Sequence, residues 1–184
     1  MFRPYIPNST LTPFPMNDRI AFAKTMASES KAFENVIKAI TNPEWKHPDD
    51  PKGKTAMQMA VMLAHSAAAF VDVLEKGELG GENASPFEKP TNVNMAAQML
   101  HDYYAKAAKI AEETDDATWE LPAVMLMNGK KMWESTRGGM CWGLLLDAVH
   151  HRGQLSTYLR PMGSKVPSIY GPSGDDMGGI EMPA

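Results

Sequence analysis

The chain has 184 residues, a net charge of −4, 43% apolar residues and 22% charged residues. These proportions are those of a globular protein, and the length corresponds to one domain over residues 1–184. An acidic chain offers no basic surface for a phosphate backbone, which excludes nucleic acid as the expected partner.

Three further features bear on location. A single cysteine, Cys141, cannot form an internal disulfide, which fits a reducing compartment. Residues 1–15 lack the apolar segment of a signal peptide, and no run of about 18 apolar residues is present that could cross a bilayer. We therefore expect a cytoplasmic protein that does not bind membranes.

Four segments have the apolar periodicity of helices. Asn17 or Asp18 can cap the first of them. Thr55 and Gln58 have the spacing of a capping box at the start of the second, and Gly77 is placed to end it. The predicted helices cover residues 17–40, 55–76, 91–113 and 136–159.

The periodicity weakens over residues 114–135. Asn128-Gly129 lies there between short apolar runs, which favours either a small hairpin or an irregular crossover. Four long helices with one substantial crossover before the last indicate an all-α protein, a four-helix bundle. The proline- and glycine-rich end of the chain indicates an extended tail over the surface.

The fourth predicted helix carries the groups best suited to chemistry. Residues 141–149 are apolar apart from Asp147, which predicts a helix surrounded by the rest of the protein. Asp147 and His151 are four residues apart, so both side chains can point to one spot. A buried charge normally has a partner or a metal. His65 lies on the apolar second helix and, opposite this pair, would complete either a metal site or a set of hydrogen-bonded core residues.

The end of the fourth predicted helix and the segment after it contain His151-Arg152-Gly153-Gln154, Tyr158-Leu159-Arg160, Gly163 and Val166-Pro167-Ser168-Ile169-Tyr170-Gly171. These segments resemble the C-terminal signature of a known family, the DinB/YfiT-like family. The resemblance implies a four-helix bundle, often dimeric, with a divalent metal ion held by three histidines from the second and fourth helices. Carried over, these positions are His65, Asp147 and His151, with Asp147 departing from the usual histidine. His150 matches a common non-ligand histidine.

The aspartate changes the implied site. Two imidazoles and a carboxylate leave a divalent ion with one net positive charge rather than two, so a bound water would be less acidic. This ligand set suits iron or manganese as well as the zinc or nickel most expected. The other interpretation is a degenerate site, in which Asp147 pairs with Arg152 or a histidine and no metal binds.

The resemblance implies a metal-dependent thiol S-transferase or hydrolase acting on a small molecule, with a low-molecular-weight thiol as a candidate substrate and a homodimer as the assembly. The alternative is a non-catalytic, stress-related binding or dimerisation module with a degenerate metal site. Cys141 is predicted to be a buried structural thiol rather than a nucleophile. Arg152 and Gln154 are predicted to satisfy polar groups in the bundle or at a dimer contact rather than to bind substrate.

Overall fold

A computed structural model describes residues 17–48 and 50–176 of the chain. The expectation that residues 1–15 hold no signal peptide, and the last part of the predicted tail, lie outside these described residues. Within them the chain is mainly helical, with a small sheet before the last helix. The elements are α1 Asp18–Lys38, α2 Ala56–Lys76, β1 Glu78–Leu79, α3 Val93–Glu113, α4 Asp116–Trp119, β2 Pro122–Met127, β3 Lys130–Thr136 and α5 Arg137–Leu159.

Each long helix begins after a side chain that accepts a hydrogen bond from its first turn. Thr55 and Gln58 form the predicted capping box of α2, and Gly77 ends that helix in the left-handed conformation with φ 69°. The third helix begins later than predicted because Asn92, rather than Thr91, is its cap. The four capping residues are Asn17, Thr55, Asn92 and Thr136.

The three strands form a small mixed sheet, which corrects the all-α prediction. Strands β2 and β3 pair in antiparallel fashion, and β1 lies parallel to β2 on its other side. Asn128 and Gly129 join β2 to β3 with φ angles of 51° and 71°, the left-handed pair typical of a tight hairpin turn. Of the two alternatives for this segment, the hairpin is therefore confirmed, whereas β1 was not predicted.

The four long helices pack on one apolar core. Helix α3 packs against α1 and α2, and α5 packs mainly against α2 and less against α1. Large side chains buried in this core come from all four helices: Phe22, Phe33, Leu63, Phe70, Leu100, Met140, Leu145 and Leu155.

Helix α2 is long and apolar enough to cross a membrane, so the expectation that the chain contains no such segment is wrong for this helix. However, 61% of the qualifying stretch is buried inside the protein. The apolar character of α2 is that of a core helix packed between α3 and α5.

Asp18 ties the start of α1 to the elements around α5. Its two carboxylate oxygens accept hydrogen bonds from the indole nitrogens of Trp119 at 3.0 Å and Trp142 at 2.9 Å. Gly138 permits this arrangement, because a Cβ there would lie 2.1 Å from the Trp119 indole nitrogen. These contacts fix which face α5 turns toward the core.

The segment after α5 is held against the helices as far as residue 176. The Asp175 carboxylate accepts hydrogen bonds from the Arg160 side chain at 3.0 Å and from the backbone N–H of Val166 at 2.8 Å. The Ser164 hydroxyl donates to the backbone carbonyl of Ala39 at the end of α1. This part of the predicted tail is therefore held on the surface of the helices by several hydrogen bonds.

Candidate functional site

Asp147 and His151 are brought together on α5, as their spacing predicted. Asp147 Oδ2 lies 3.5 Å from His151 Nε2. Two ligand atoms that are each about 2.1 Å from a tetrahedral ion are about 3.4 Å apart. The separation in this pair therefore fits two positions of one divalent metal site.

Gln154 orients the His151 ring. Its side-chain oxygen lies 2.8 Å from His151 Nδ1, and its side-chain nitrogen lies 2.9 Å from His150 Nε2. Because an amide oxygen can only accept, Nδ1–H of His151 donates to Gln154. In the neutral imidazole, Nε2 is then the ring nitrogen with the lone pair, and it lies on the side of Asp147. Metal-binding histidines are commonly held in this way by an acceptor on the other ring nitrogen. Gln154 thus satisfies polar groups, as predicted, and these groups are the two histidines.

The surroundings of this pair differ from the prediction. The Asp147 side chain is 59% exposed and that of His151 is 25% exposed, so the expectation of a buried site is wrong for Asp147. Leu146 is 66% exposed, which means that α5 is not surrounded by protein on all sides. A carboxylate in this position keeps its hydration and needs no buried partner, and a small molecule can reach it from solvent.

His65 does not join the pair. It lies on the exposed side of α2, where its ring contacts Phe87 edge-on with 4.8 Å between the ring centroids. In the part of the chain that the structure describes, no three histidine, cysteine, aspartate or glutamate side chains lie close enough to hold a metal ion together. As placed, the residues fit two of the three implied ligands, and the site formed by His65, Asp147 and His151 stays a prediction.

Two cavities lie along α5 on either side of the pair. One, of about 300 Å³, is apolar apart from Asp147 and is lined by Met125, Trp133, Gly143, Leu144 and Asp147. The other, of about 450 Å³, is mainly polar and is lined by His47, Asp50, Lys52, Gly53, Lys54, Met59, Gln154, Thr157 and Tyr158. Asp147 belongs to the first cavity and Gln154 to the second, so the pair lies between them.

Arg152 serves a structural role that sequence analysis predicted only in outline. Its guanidinium group is buried, forms an ion pair with Glu29 of α1, and donates a hydrogen bond of 2.5 Å to the Tyr170 hydroxyl. The guanidinium carbon lies 4.5 Å from the centre of the Phe33 ring. The segments around Arg152 and Tyr170, which both carry the family resemblance, therefore meet at Glu29 of α1.

Glu29 itself was missed by sequence analysis. It falls on the apolar stripe of α1, between Met26 and Phe33, at the spacing of core residues. An acid at such a position is a signal of a buried ion pair, because a lone buried carboxylate is costly.

The remaining candidates have roles in packing. Cys141 is buried, and burial raises the pKa of its thiol well above the ordinary value, so it is a structural thiol, as predicted. Burial likewise raises the pKa of the Tyr104 hydroxyl in the core. His101 is exposed on α3 and shares a hydrogen bond of 3.1 Å with Ser30.

Comparisons with known proteins agree with this architecture. A model of the DinB family matches residues 16–182. YrdA of Bacillus subtilis, described as an uncharacterized protein, is 25% identical over 168 residues, which cover 88% of this chain and 95% of YrdA. The crystal structure of the DinB-like protein YjoA from Bacillus subtilis superposes with a TM-score of 0.64 at 16% identity and covers 83% of this chain and 99% of YjoA. At that identity, the likeness to YjoA concerns the fold.

Proposed function

The chain belongs to the DinB family, and from this premise we propose that it is a metal-dependent enzyme in which Asp147, His151 and His65 hold one divalent ion. The proposal is carried by the distance of 3.5 Å between Asp147 Oδ2 and His151 Nε2. The hydrogen bond from His151 Nδ1 to Gln154 supports it, since it leaves Nε2 free to bind a metal. His65 lies against Phe87 in this structure, so serving as the third ligand requires it to leave that contact.

Zinc or nickel is the first expectation for the ion, and the carboxylate of Asp147 also suits iron or manganese. When bound, such an ion is a Lewis acid that makes a thiolate or hydroxide available near neutral pH. The protein's own residues position the reactants: Gln154 fixes the His151 ring, and the exposed Asp147 leaves the site open to a small molecule. We propose thiol S-transfer or hydrolysis as the reaction, with a low-molecular-weight thiol as a candidate substrate.

Metal content is the first test. The native chain, purified without a histidine tag and analysed for elements, should contain close to one ion per molecule, and His151→Ala and Asp147→Asn should lose it. His101→Ala is the matched control, because it removes an exposed histidine from another helix and should keep the ion. Equal metal content in His151→Ala and His101→Ala would exclude the site.

Activity is the second test. The metal-loaded protein is assayed with a thiol and electrophilic acceptors, and separately with simple esters. Activity that needs the metal and falls at least tenfold in His65→Ala supports the enzyme. Turnover that is unchanged in His65→Ala contradicts the assigned ligand set.

The contact between His65 and Phe87 also favours a second candidate, a non-catalytic binding or dimerisation module with a degenerate site. Asp147→His restores the histidine usual at this position and separates the two. Metal in Asp147→His but none in the native chain would indicate that the site has been lost here. Metal in both excludes the degenerate site.

Three further expectations complete the proposal. The packing of α1, α2, α3 and α5 supports a four-helix bundle with the hairpin in its crossover. We propose a homodimer, which light scattering coupled to size-exclusion chromatography tests directly. A cytoplasmic location is proposed from the single cysteine, which is buried and unpaired.

A further inference from the structure

An apolar notch lies one helical turn before Asp147. Met125 of β2 and Trp133 of β3 are cross-strand partners, so both side chains lie on the face of the sheet that meets α5. Gly143 and Leu144 form the helical wall. The strand pair and the helix thus enclose a space of about 300 Å³ that opens beside Asp147.

Gly143 gives the notch its shape. A Cβ at this position would lie 2.5 Å from Cη2 of the Trp133 indole, so the absence of a side chain is what lets the ring reach the helix. Trp133 and Leu144 pack on the core but are only partly buried. Their remaining apolar surface faces the notch, where water has few polar partners and an apolar group gains by displacing it.

The notch and the candidate metal ligands share one line along α5. Gly143, Asp147 and His151 are spaced four residues apart, so they lie on the same face of the helix. The rise between Gly143 and Asp147 is about 6 Å. A molecule with its apolar group beside Gly143 would therefore place a polar group two or three bonds away next to Asp147.

We propose that this notch binds the aryl group of a substrate whose reacting atom lies at Asp147 and His151. Met125, Trp133 and Leu144 supply the apolar contact, and the flat indole favours an aromatic ring over a branched chain. The inference rests on the proposed function only for the identity of the reacting atom, a thiol sulfur. The binding of the aryl group is a property of the notch alone.

The first experiment therefore uses no metal. The metal-free chain is titrated with 2-phenylethanol while the four tryptophan indole N–H signals are followed by NMR, with Trp133→Phe used to assign the Trp133 signal. We expect saturable shifts centred on Trp133. Affinity should fall at least tenfold in Leu144→Asn, which makes the wall polar, and in Gly143→Ala, which displaces the indole.

Leu146→Asn is the matched control, since it introduces the same polar group two residues along α5 at a side chain that is 66% exposed. It should change the affinity less than twofold. Circular dichroism confirms that each variant is folded, and Gly143→Ala provides the test if Leu144→Asn is not. Equal affinities in the Leu144 and Leu146 variants, or no shift at Trp133, would overturn the proposal.

The second experiment adds zinc and compares 2-phenylethanethiol with 2-mercaptoethanol. We expect the aryl thiol to bind at least tenfold more tightly, with this advantage lost in Leu144→Asn while zinc content is kept. Zinc binding without preference for the aryl thiol refutes aryl binding in the notch but does not contradict the metal site. Binding of 2-phenylethanol at Trp133 in a protein that takes up none of zinc, nickel, iron and manganese supports the notch and refutes the metal enzyme.

Discussion

Replacing Glu29 with alanine should destabilise the protein strongly, because the Arg152 guanidinium would remain buried without its carboxylate. Arg152 is 2% exposed and Glu29 is 8% exposed, so water cannot replace the lost partner without opening the core. Removing one member of such a pair costs about 3–5 kcal/mol. The whole free energy of unfolding of a domain is about 5–15 kcal/mol. Removing this one carboxylate should therefore remove a large part of the free energy of unfolding.

Urea unfolding followed by far-UV circular dichroism measures this loss for Glu29→Ala, Glu29→Met, Arg152→Met and the Glu29→Met/Arg152→Met double variant. We expect the double variant to be more stable than Glu29→Met, because it removes both charges and fills the space with apolar side chains. The exposed pair Lys109 and Glu113, at 3.8 Å, is the control. Lys109→Ala should cost at most about 1 kcal/mol.

Two results would refute this reasoning. One is a loss below about 1 kcal/mol in Glu29→Ala, which would place the pair among exposed ion pairs. The other is a double variant whose loss equals the sum of the two methionine single variants, since groups that interact directly should not be additive.

Further predictions concern the glycines of α5 and the acid limb of the stability curve. Gly138→Ala should lower the melting temperature and cost about 1–3 kcal/mol, because its Cβ would lie 2.1 Å from the Trp119 indole nitrogen. At Gly153 the added Cβ would meet no atom within 4 Å apart from its chain neighbours and the local helix backbone, so Gly153→Ala should instead stabilise α5 by up to about 1 kcal/mol. Burial alone would raise the pKa of Asp72, but hydrogen bonds from Ser85 and a nearby lysine bring it below the ordinary 3.8. The charged carboxylate therefore stabilises the fold above that pH, and this contribution is lost as the pH falls through the folded-state pKa. Asp72→Asn should accordingly have a lower free energy of unfolding than the native chain at neutral pH, and the difference should shrink in acid.

Local sequence was sufficient for the four long helices and for two of the three candidate metal ligands. Caps such as Thr55 with Gln58 satisfy N–H groups within a few residues, so they can be recognised without knowing the fold. The same holds for the turn at Asn128-Gly129. The approach of Asp147 to His151 also follows from helix geometry alone, because residues four apart lie one turn above each other.

What the sequence could not determine depends on how distant elements pack. The parallel pairing of β1 with β2 joins Glu78 to Val124, and a strand of two residues has no pattern of its own. The direction of His65 depends on how α2 is rotated in the fold, and its buried residues leave this histidine on the outer side against Phe87.

The sequence by itself determined the four long helices, the caps of α1 and α2, and the pairing of Asp147 with His151, since each depends on contacts between residues close in the chain. The tertiary structure decided that Glu29 forms an ion pair with Arg152 and that Asp147 is exposed. It also placed the Trp133 indole against Gly143. Each of these depends on the orientation of one helix relative to another element, and that orientation is set by the packing of the whole core rather than by any single segment.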